Sequence, residues 1–433
     1  MATPRFAALC LPLFYITILT TSATEESGKL LVVFLDGFRW DLDRLEDLPH
    51  LAAFSAQGVN VPYVTPAYVT LTMPNLFTIL TGLYPESHGV LHNLHFNRSS
   101  VQGSFLEDAA KLAEAVSPGV VPIWVTASQQ GRRTGVYNAD PAPGMLPDVY
   151  VPLISINETY HEIVAGMDAA LDWFSTGNVD LTAFYIGLLD TVSHTHGPES
   201  PAARKALQQI DTAIGYLLQQ VKQRGLTDLN IILMADHGMR QVYAVPEPIE
   251  ILRHVNASSL QMLIADFGPL ALIQPAPGRR EEVYAALAGS HPNMTVYYKE
   301  DFPTRFHYAN HPRMTDILAM ADPGYVIYSR YPGTYRVYSH RGDHGYDNRD
   351  PAMRALFRAW GPNFRRGYAR PDPFDSVHIY PLMCAVLGVE PAPNNGSLEV
   401  VKDMLVGVSS DALQNIAKVY ILLIAMVSVT MLI

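Results

Sequence analysis

Apolar and polar positions along the chain fall into two alternating patterns. Lys29–Leu35, Leu181–Leu189, Asn230–Ala235, Leu270–Gln274 and Ile317–Ala321 are short, nearly continuous apolar runs, the pattern of strands buried on both faces. Between the second and third, Pro201–Arg224 repeats Leu207, Ile210, Ile214, Leu217, Leu218 and Val221 at helical spacing and predicts an amphipathic helix. This alternation predicts an α/β layer fold around a largely parallel sheet flanked by helices. No internal repeat or low-complexity block appears before Asn394-Asn395-Gly396, so a single catalytic-sized domain over residues 24–400 is expected.

The same hydropathy profile sets the two ends apart. Arg5, the apolar run Phe6–Thr20 and the small residues Thr21-Ser22-Ala23 have the layout of a secretory signal peptide over residues 1–23. A mostly apolar stretch, Val419–Ile433, forms the other end; as a helix it would reach roughly 22 Å, short of a hydrocarbon core. Small residues around Ser409 and Ser410, followed by a polar spacer to Lys418, make residues 401–418 a lipid-anchor attachment region and 419–433 a removable tail. The alternative is a short tail-anchored helix. Five glycosylation sequons, at Asn97, Asn157, Asn256, Asn293 and Asn395, agree with life on the extracellular face of the cell membrane.

Composition narrows the function. The 433 residues carry 30 Lys+Arg against 41 Asp+Glu, a net charge of −11, which excludes the basic face a nucleic-acid partner needs. Cys10 and Cys384 are the only cysteines, so neither a disulfide framework nor a thiolate-ligated metal is available, and Cys384 reads as a buried thiol.

Candidate chemistry gathers at predicted strand ends, where open α/β sheets collect ligands. Asp36 follows the first strand, Asp190 the second and Asp236-His237 the third. Asp190 and His194 are four apart and face one point if a helical turn starts there. His344 lies in the turn-rich Asp343-His344-Gly345-Tyr346-Asp347. A single strand-end Asp is commonly a helix cap. Three of them, with imidazoles beside two, have the oxygen and nitrogen donors of a catalytic zinc site with an open position. Thr70 or Thr72, before Leu76–Thr81, either caps a helix or offers a hydroxyl nucleophile.

These residues stand in blocks that resemble the ectonucleotide pyrophosphatase/phosphodiesterase family of the alkaline-phosphatase superfamily. The blocks are Leu35-Asp36-Gly37-Phe38-Arg39, Thr72-Met73-Pro74-Asn75, Thr81-Gly82-Leu83-Tyr84-Pro85-Glu86-Ser87-His88-Gly89, Asp190…His194…Gly197-Pro198, Ala235-Asp236-His237-Gly238-Met239 and His344-Gly345-Tyr346-Asp347-Asn348. The resemblance implies an alkaline-phosphatase-like fold and two Zn2+ ions. One would be held by Asp190, His194 and His344, the other by Asp36, Asp236, His237 and the Thr72 hydroxyl. Thr72 would be the nucleophile, and Asn93 would hold a phosphoryl oxygen. Thr72-Met73-Pro74-Asn75 lacks the Cys/Ser-x-Pro-x-Arg setting of a sulfatase, and no arginine between Thr72 and Asn93 would hold a monoester's extra charge. A diester, small-molecule or lipid, is the implied substrate.

Met73 stands where nucleotide-cleaving members have an aromatic residue, and Thr65–Thr72 with Leu91-His92-Asn93 resembles members that cleave choline phosphodiesters. Tyr68 and Tyr150 are candidate aromatic walls for a quaternary ammonium, with Asp140 a candidate carboxylate; structural packing is the alternative for each tyrosine. Two segments depart from the family pattern: Tyr137–Gly144 replaces a Trp/Tyr-Pro-Gly segment, and Gly187-Leu188-Leu189 lacks the glutamate that relatives commonly carry. A nucleotide phosphodiesterase and a non-catalytic cell-surface interaction glycoprotein are the competing readings.

Overall fold

The structure, a computed structural model, describes residues 28–104, 109–242, 249–329 and 340–407. The signal-peptide residues, the tail and the anchor residues Ser409 and Ser410 lie outside these. Among the described residues, no helix is long and apolar enough to cross a membrane.

The strands of the main sheet are β1 (Lys29–Leu35), β2 (Val59–Asn60), β3 (Thr134–Tyr137), β4 (Val149–Val151), β5 (Leu181–Ile186), β6 (Leu229–Met234), β11 (Phe357–Trp360) and β12 (Tyr368–Ala369). Their order across the sheet is β12-β2-β11-β6-β1-β5-β3-β4. The centre is parallel, with β1 between β5 and β6, while β11 runs antiparallel to both β6 and β2. Parallel central strands need cover on both faces, which explains why residues 30–35 and 231–234 are apolar without alternation. The register sets Phe34 beside both Tyr185 and Met234. The residues just beyond these strands, Asp36, Gly187 and Asp236, therefore emerge along one edge.

Helices cover the sheet. The chain uses α1 (Thr72–Thr81), α2 (Tyr160–Thr176), α3 (Leu188–His196), α4 (Pro201–Gln223) and α5 (Ile379–Leu387) around it, with several shorter turns. The predicted amphipathic helix is α4: its N-cap Ser200 accepts from Ala203 N–H, Pro201 opens it, and Leu207, Ile210, Ile214, Leu217 and Val221 are buried. Two expectations shift. The Leu181–Leu189 run is a strand only to Ile186, because Leu188-Leu189 already belongs to α3, and Asp190 therefore sits in a helical first turn.

The other two predicted strands do not join the main sheet. β7 (Leu260–Ile264), β8 (Leu270–Pro275), β9 (Met294–Tyr298) and β10 (Ile317–Ala321) form an antiparallel sheet in the order β7-β8-β10-β9. One apolar cluster of this sheet, including Leu270, Leu272 and Leu318, also takes in Tyr68, Val69, Leu71 and Leu91. The second sheet thus backs the loops that lead to Thr72 and Asn93. At the other end the folded body continues beyond residue 400. Val401 and Met404 are fully buried, and the Asp403 carboxylate accepts from Arg370 and Tyr368.

Candidate metal centre and its nucleophile

The strand ends and α3 converge as their spacing suggested. Asp190, His194 and His344 bring one donor atom each within 4.8 Å of one another, and so do Asp36, Asp190 and His237. His194 Nε2 lies 3.5 Å from Asp190 Oδ2, His344 Nε2 3.5 Å from Asp190 Oδ1, and the two imidazole Nε2 atoms 3.1 Å apart. On the other side, His237 Nε2 is 3.4 Å from Asp36 Oδ1 and 3.3 Å from Asp236 Oδ2. Asp190 bridges the two groups. Gly37, with φ +70°, turns the chain after Asp36, and a Cβ there would stand 3.1 Å from Asp190 Oδ1; only glycine suits both demands.

Hydrogen bonds fix how each imidazole is presented. Nδ1 of His194 faces Gly342 O at 2.8 Å, that of His344 faces Thr70 O at 2.8 Å, and that of His237 faces Gly238 O at 2.9 Å. A carbonyl only accepts, so each Nδ1 carries its proton and each Nε2 presents a lone pair to the cluster. Lone pairs 3.1 Å apart repel unless a cation lies among them.

The carboxylates have the same need. Asp36 Oδ1, Asp190 Oδ1 and Asp236 Oδ2 are buried with no hydrogen-bond partner. Burial raises the Asp36 carboxyl well above the usual range, and the Asp236 and Asp190 charges raise it further. Burial also raises Asp190 and Asp236, although His194 and His237 respectively pull them back. Negative oxygens and imidazole lone pairs crowded away from water fit divalent cations. The residues present can hold such ions at two adjoining positions.

Thr72 opens α1 at its first position. The N-cap is Leu71, so neither Thr70 nor Thr72 supplies the side-chain cap weighed from sequence. The Thr70 hydroxyl instead donates to Tyr346 O and accepts from Gly345 N–H, tying the Thr72 loop to the His344 loop. Thr72 Oγ1 lies 3.2 Å from His237 Nε2, at the metal cluster. Asn93 Oδ1 accepts the Met73 N–H at 2.9 Å, tying Asn93 to the first turn of α1. Pro74 has no N–H, so Thr72 carries the remaining backbone donor of the first three residues.

The substrate-wall candidates are dispersed. Tyr68 is 1% exposed, its ring enclosed by Phe302, Phe306 and Tyr308, unlike the open ring face expected of a ligand wall. Met73 leans on the Phe77 and Val90 cluster. Tyr150 is exposed on the edge strand β4, and Asp140 is exposed with Oδ1 accepting Leu153 N–H at 3.4 Å. Among the sequon asparagines, Asn157, Asn256 and Asn395 are exposed; Asn97 and Asn293 are half-buried. Tyr185, not anticipated from sequence, donates its phenol to Asp36 Oδ2 and leaves Oδ1 for the cluster. One tyrosine inside an apolar strand gives no sequence signal for that role.

Comparison with known proteins agrees with this geometry. The Type I phosphodiesterase / nucleotide pyrophosphatase family matches residues 30–347. Human ectonucleotide pyrophosphatase/phosphodiesterase family member 7 is 40% identical over 388 residues, covering 87% of this chain and 84% of the relative. Human family member 5 is 33% identical over 93% of this chain and 83% of its own length. The solved murine family member 5 superposes with a TM-score of 0.77 at 33% identity, over 87% of this chain and 100% of that one. An inactive threonine-to-alanine form of the murine protein was solved in complex with AMP, with a TM-score of 0.77 and 32% identity over the same shares. Fold and site together define a phosphodiesterase-type hydrolase. The chain belongs to the ectonucleotide pyrophosphatase/phosphodiesterase family, and its α/β fold is of the alkaline-phosphatase type.

Proposed function

We propose that this protein is an extracellular two-zinc phosphodiesterase that releases phosphocholine from choline phosphodiesters through a phosphothreonine on Thr72. The observation that carries the reading is the 3.2 Å approach of Thr72 Oγ1 to His237 Nε2 at the edge of the metal-ligand cluster. Asp190, His194 and His344 would hold one zinc; Asp36, Asp236, His237 and Thr72 would hold the other. Bound there, the ions supply the positive charge that favours the Thr72 alkoxide and neutralises phosphoryl oxygens.

The chain's own residues do the rest. Thr72 Oγ1 attacks phosphorus in line with the leaving alkoxide, the P–O bond to the alcohol breaks, the proton lost by the Thr72 hydroxyl is made up on the departing oxygen from solvent, and the phosphocholine stays as an ester on Thr72. Asn93 Nδ2 donates to a phosphoryl oxygen, with the Thr72 N–H at the positive end of α1 beside it. Tyr185 keeps Asp36 turned toward the site. Water then cleaves the phosphothreonine and restores the hydroxyl.

The choline assignment rests on the resemblance of Thr65–Thr72 and Leu91-His92-Asn93 to choline-phosphodiester-cleaving members and on Met73, which offers no ring for a base to stack on. Exposed Tyr150 and Asp140 are the remaining candidates for binding the ammonium. The AMP bound to the murine neighbour favours nucleotides as the second reading. Purified protein should be incubated with glycerophosphocholine, lysophosphatidylcholine, sphingomyelin, ATP and a chromogenic nucleotide diester, with and without chelator. Chelator-sensitive release of phosphocholine supports the proposal; cleavage of ATP alone overturns the choline assignment.

The catalytic domain, the signal peptide, the five glycans and the lipid anchor at Ser409 or Ser410 complete the reading. Release of the protein from cells by a phosphatidylinositol-specific phospholipase tests the anchor.

A further inference from the structure

The metal-ligand helix α3 has no cap of its own: its N-cap is Gly187, which has no side chain. The free N–H groups at its start are met from outside. Glu158, 6% exposed, accepts the Gly187 N–H on both carboxylate oxygens, at 3.1 and 3.2 Å. Burial raises the Glu158 carboxyl, and hydrogen bonds from its own N–H, Gly187, Asn138 and Leu188 work against that rise.

Asn138 completes the arrangement from the end of β3. It is 3% exposed and holds φ +57°, a left-handed conformation asparagine tolerates better than most residues. Its Nδ2 donates to Glu158 Oε1 at 2.8 Å, to Ser155 O at 2.9 Å and to Tyr185 O at 3.1 Å. Its Oδ1 accepts the N–H groups of Ile154, at 2.7 Å, and Ser155, at 3.2 Å. Both ends of the amide are thus used, and Tyr185 is the residue whose phenol holds Asp36.

The loop that carries Glu158 is fixed from both sides. Thr159 caps α2 in a reciprocal capping box with Glu162. On the other side the Thr191 hydroxyl donates to Ile156 O at 2.6 Å, and a Cβ on Gly187 would meet the same oxygen at 2.8 Å. The loop lies directly against the first turn of α3, the turn that holds Asp190.

We infer that Asn138 and Glu158 form a buried clamp that positions the start of α3 and Tyr185, and through them sets the spacing of Asp36, Asp190 and His194. Neither residue touches the cluster; both are positioning residues. The inference rests on the reading that these three side chains hold metal. Partners one step behind metal ligands commonly change affinity by 10- to 100-fold when removed.

The test uses the full chain, titrated with Zn2+ against a competing chelator dye, with kcat and KM measured on a chromogenic phosphodiester. Asn138→Gly keeps the left-handed backbone and removes the amide; Glu158→Ala removes the acceptor. Each should weaken zinc binding about tenfold at one or both positions, lower kcat by a similar factor and leave KM within about twofold. Glu158→Gln keeps an oxygen for Asn138 and Gly187 and should return to within about threefold of the parent. Unchanged zinc affinity in folded Asn138→Gly and Glu158→Ala would overturn the clamp. So would a Glu158→Gln variant no better than Glu158→Ala. If the parent chain itself takes up no zinc, the metal reading fails instead.

Discussion

Asn75 offers the sharpest test of how Thr72, the proposed nucleophile, is held. It is fully buried one turn into α1, and its amide reaches back over the segment leading to Thr72. Nδ2 donates to the carbonyls of Ala67, Val69 and Leu71, at 3.2, 2.9 and 3.1 Å, while Oδ1 accepts the Ala67 N–H at 2.8 Å. Val69 O and Leu71 O also accept backbone N–H groups, from Leu71 and Asn75, so truncation leaves chiefly the N–H and carbonyl of Ala67 without partners. An unsatisfied buried group costs about 1–3 kcal/mol, so with two such groups Asn75→Ala should lose roughly 2–6 kcal/mol. For a chain of this size that lowers Tm by about 2–7 °C.

Asn75→Asp sharpens the test, because an ionised carboxylate would face three carbonyl oxygens. Its folded-state pKa would be raised above the unfolded value of about 3.9, so the folded form binds the proton more tightly. Stability should therefore fall as pH rises above about 4, and the variant should be weaker than Asn75→Ala at pH 8. Urea unfolding at pH 5 and pH 8 reads both effects. A loss below about 1 kcal/mol for Asn75→Ala, or an Asp variant insensitive to pH, would show that the Asn75 amide does not hold this segment.

Two further outcomes follow from buried groups. His88 is fully buried; its Nδ1 accepts the Val90 N–H, its Nε2 meets Thr78 Oγ1 at 3.2 Å, and burial lowers its pKa to about 3. Below its unfolded value of about 6.5 the unfolded chain binds a proton the native state refuses. Stability should thus fall by up to about 1.4 kcal/mol per pH unit on acidification from this group, and His88→Gln should flatten the acid limb measured by denaturant titration. Cys384, buried in α5 with its thiol pushed up to about 12, should resist iodoacetamide at pH 8 in the native protein and react once urea unfolds it.

Much of the fold, and the convergence of the candidate metal-ligating residues, could be read from sequence because buried parallel strands are largely apolar and their last residues fall at one edge. Lys29–Leu35 and Ile317–Ala321 match the observed strands residue for residue. What failed was what local pattern does not encode. An apolar run cannot distinguish the end of β5 from the start of α3, so the pattern extends the strand through Leu188 and Leu189. Leu270–Gln274 and Ile317–Ala321 look like central parallel strands, yet pair antiparallel in a second sheet because pairing is a long-range choice. Which way an aromatic ring points is equally hidden: Tyr68 faces Phe306, while Tyr150 faces solvent. Glu158, inside the Asn157 sequon, carries no sequence signal for its buried carboxylate.

In the proposed mechanism Thr72 forms the covalent intermediate while acidic residues and histidines hold zinc independently of it. Elemental analysis and turnover, measured together on the parent protein and on Thr72→Ala, test it most directly. Six of the seven proposed ligands survive the substitution, so the variant should retain close to two zinc ions per chain while hydrolysis falls to background. Rapid acid quench of the parent with a labelled choline phosphodiester should leave label on Thr72. Turnover retained by Thr72→Ala, or a parent protein that works at full rate without metal, would contradict the account.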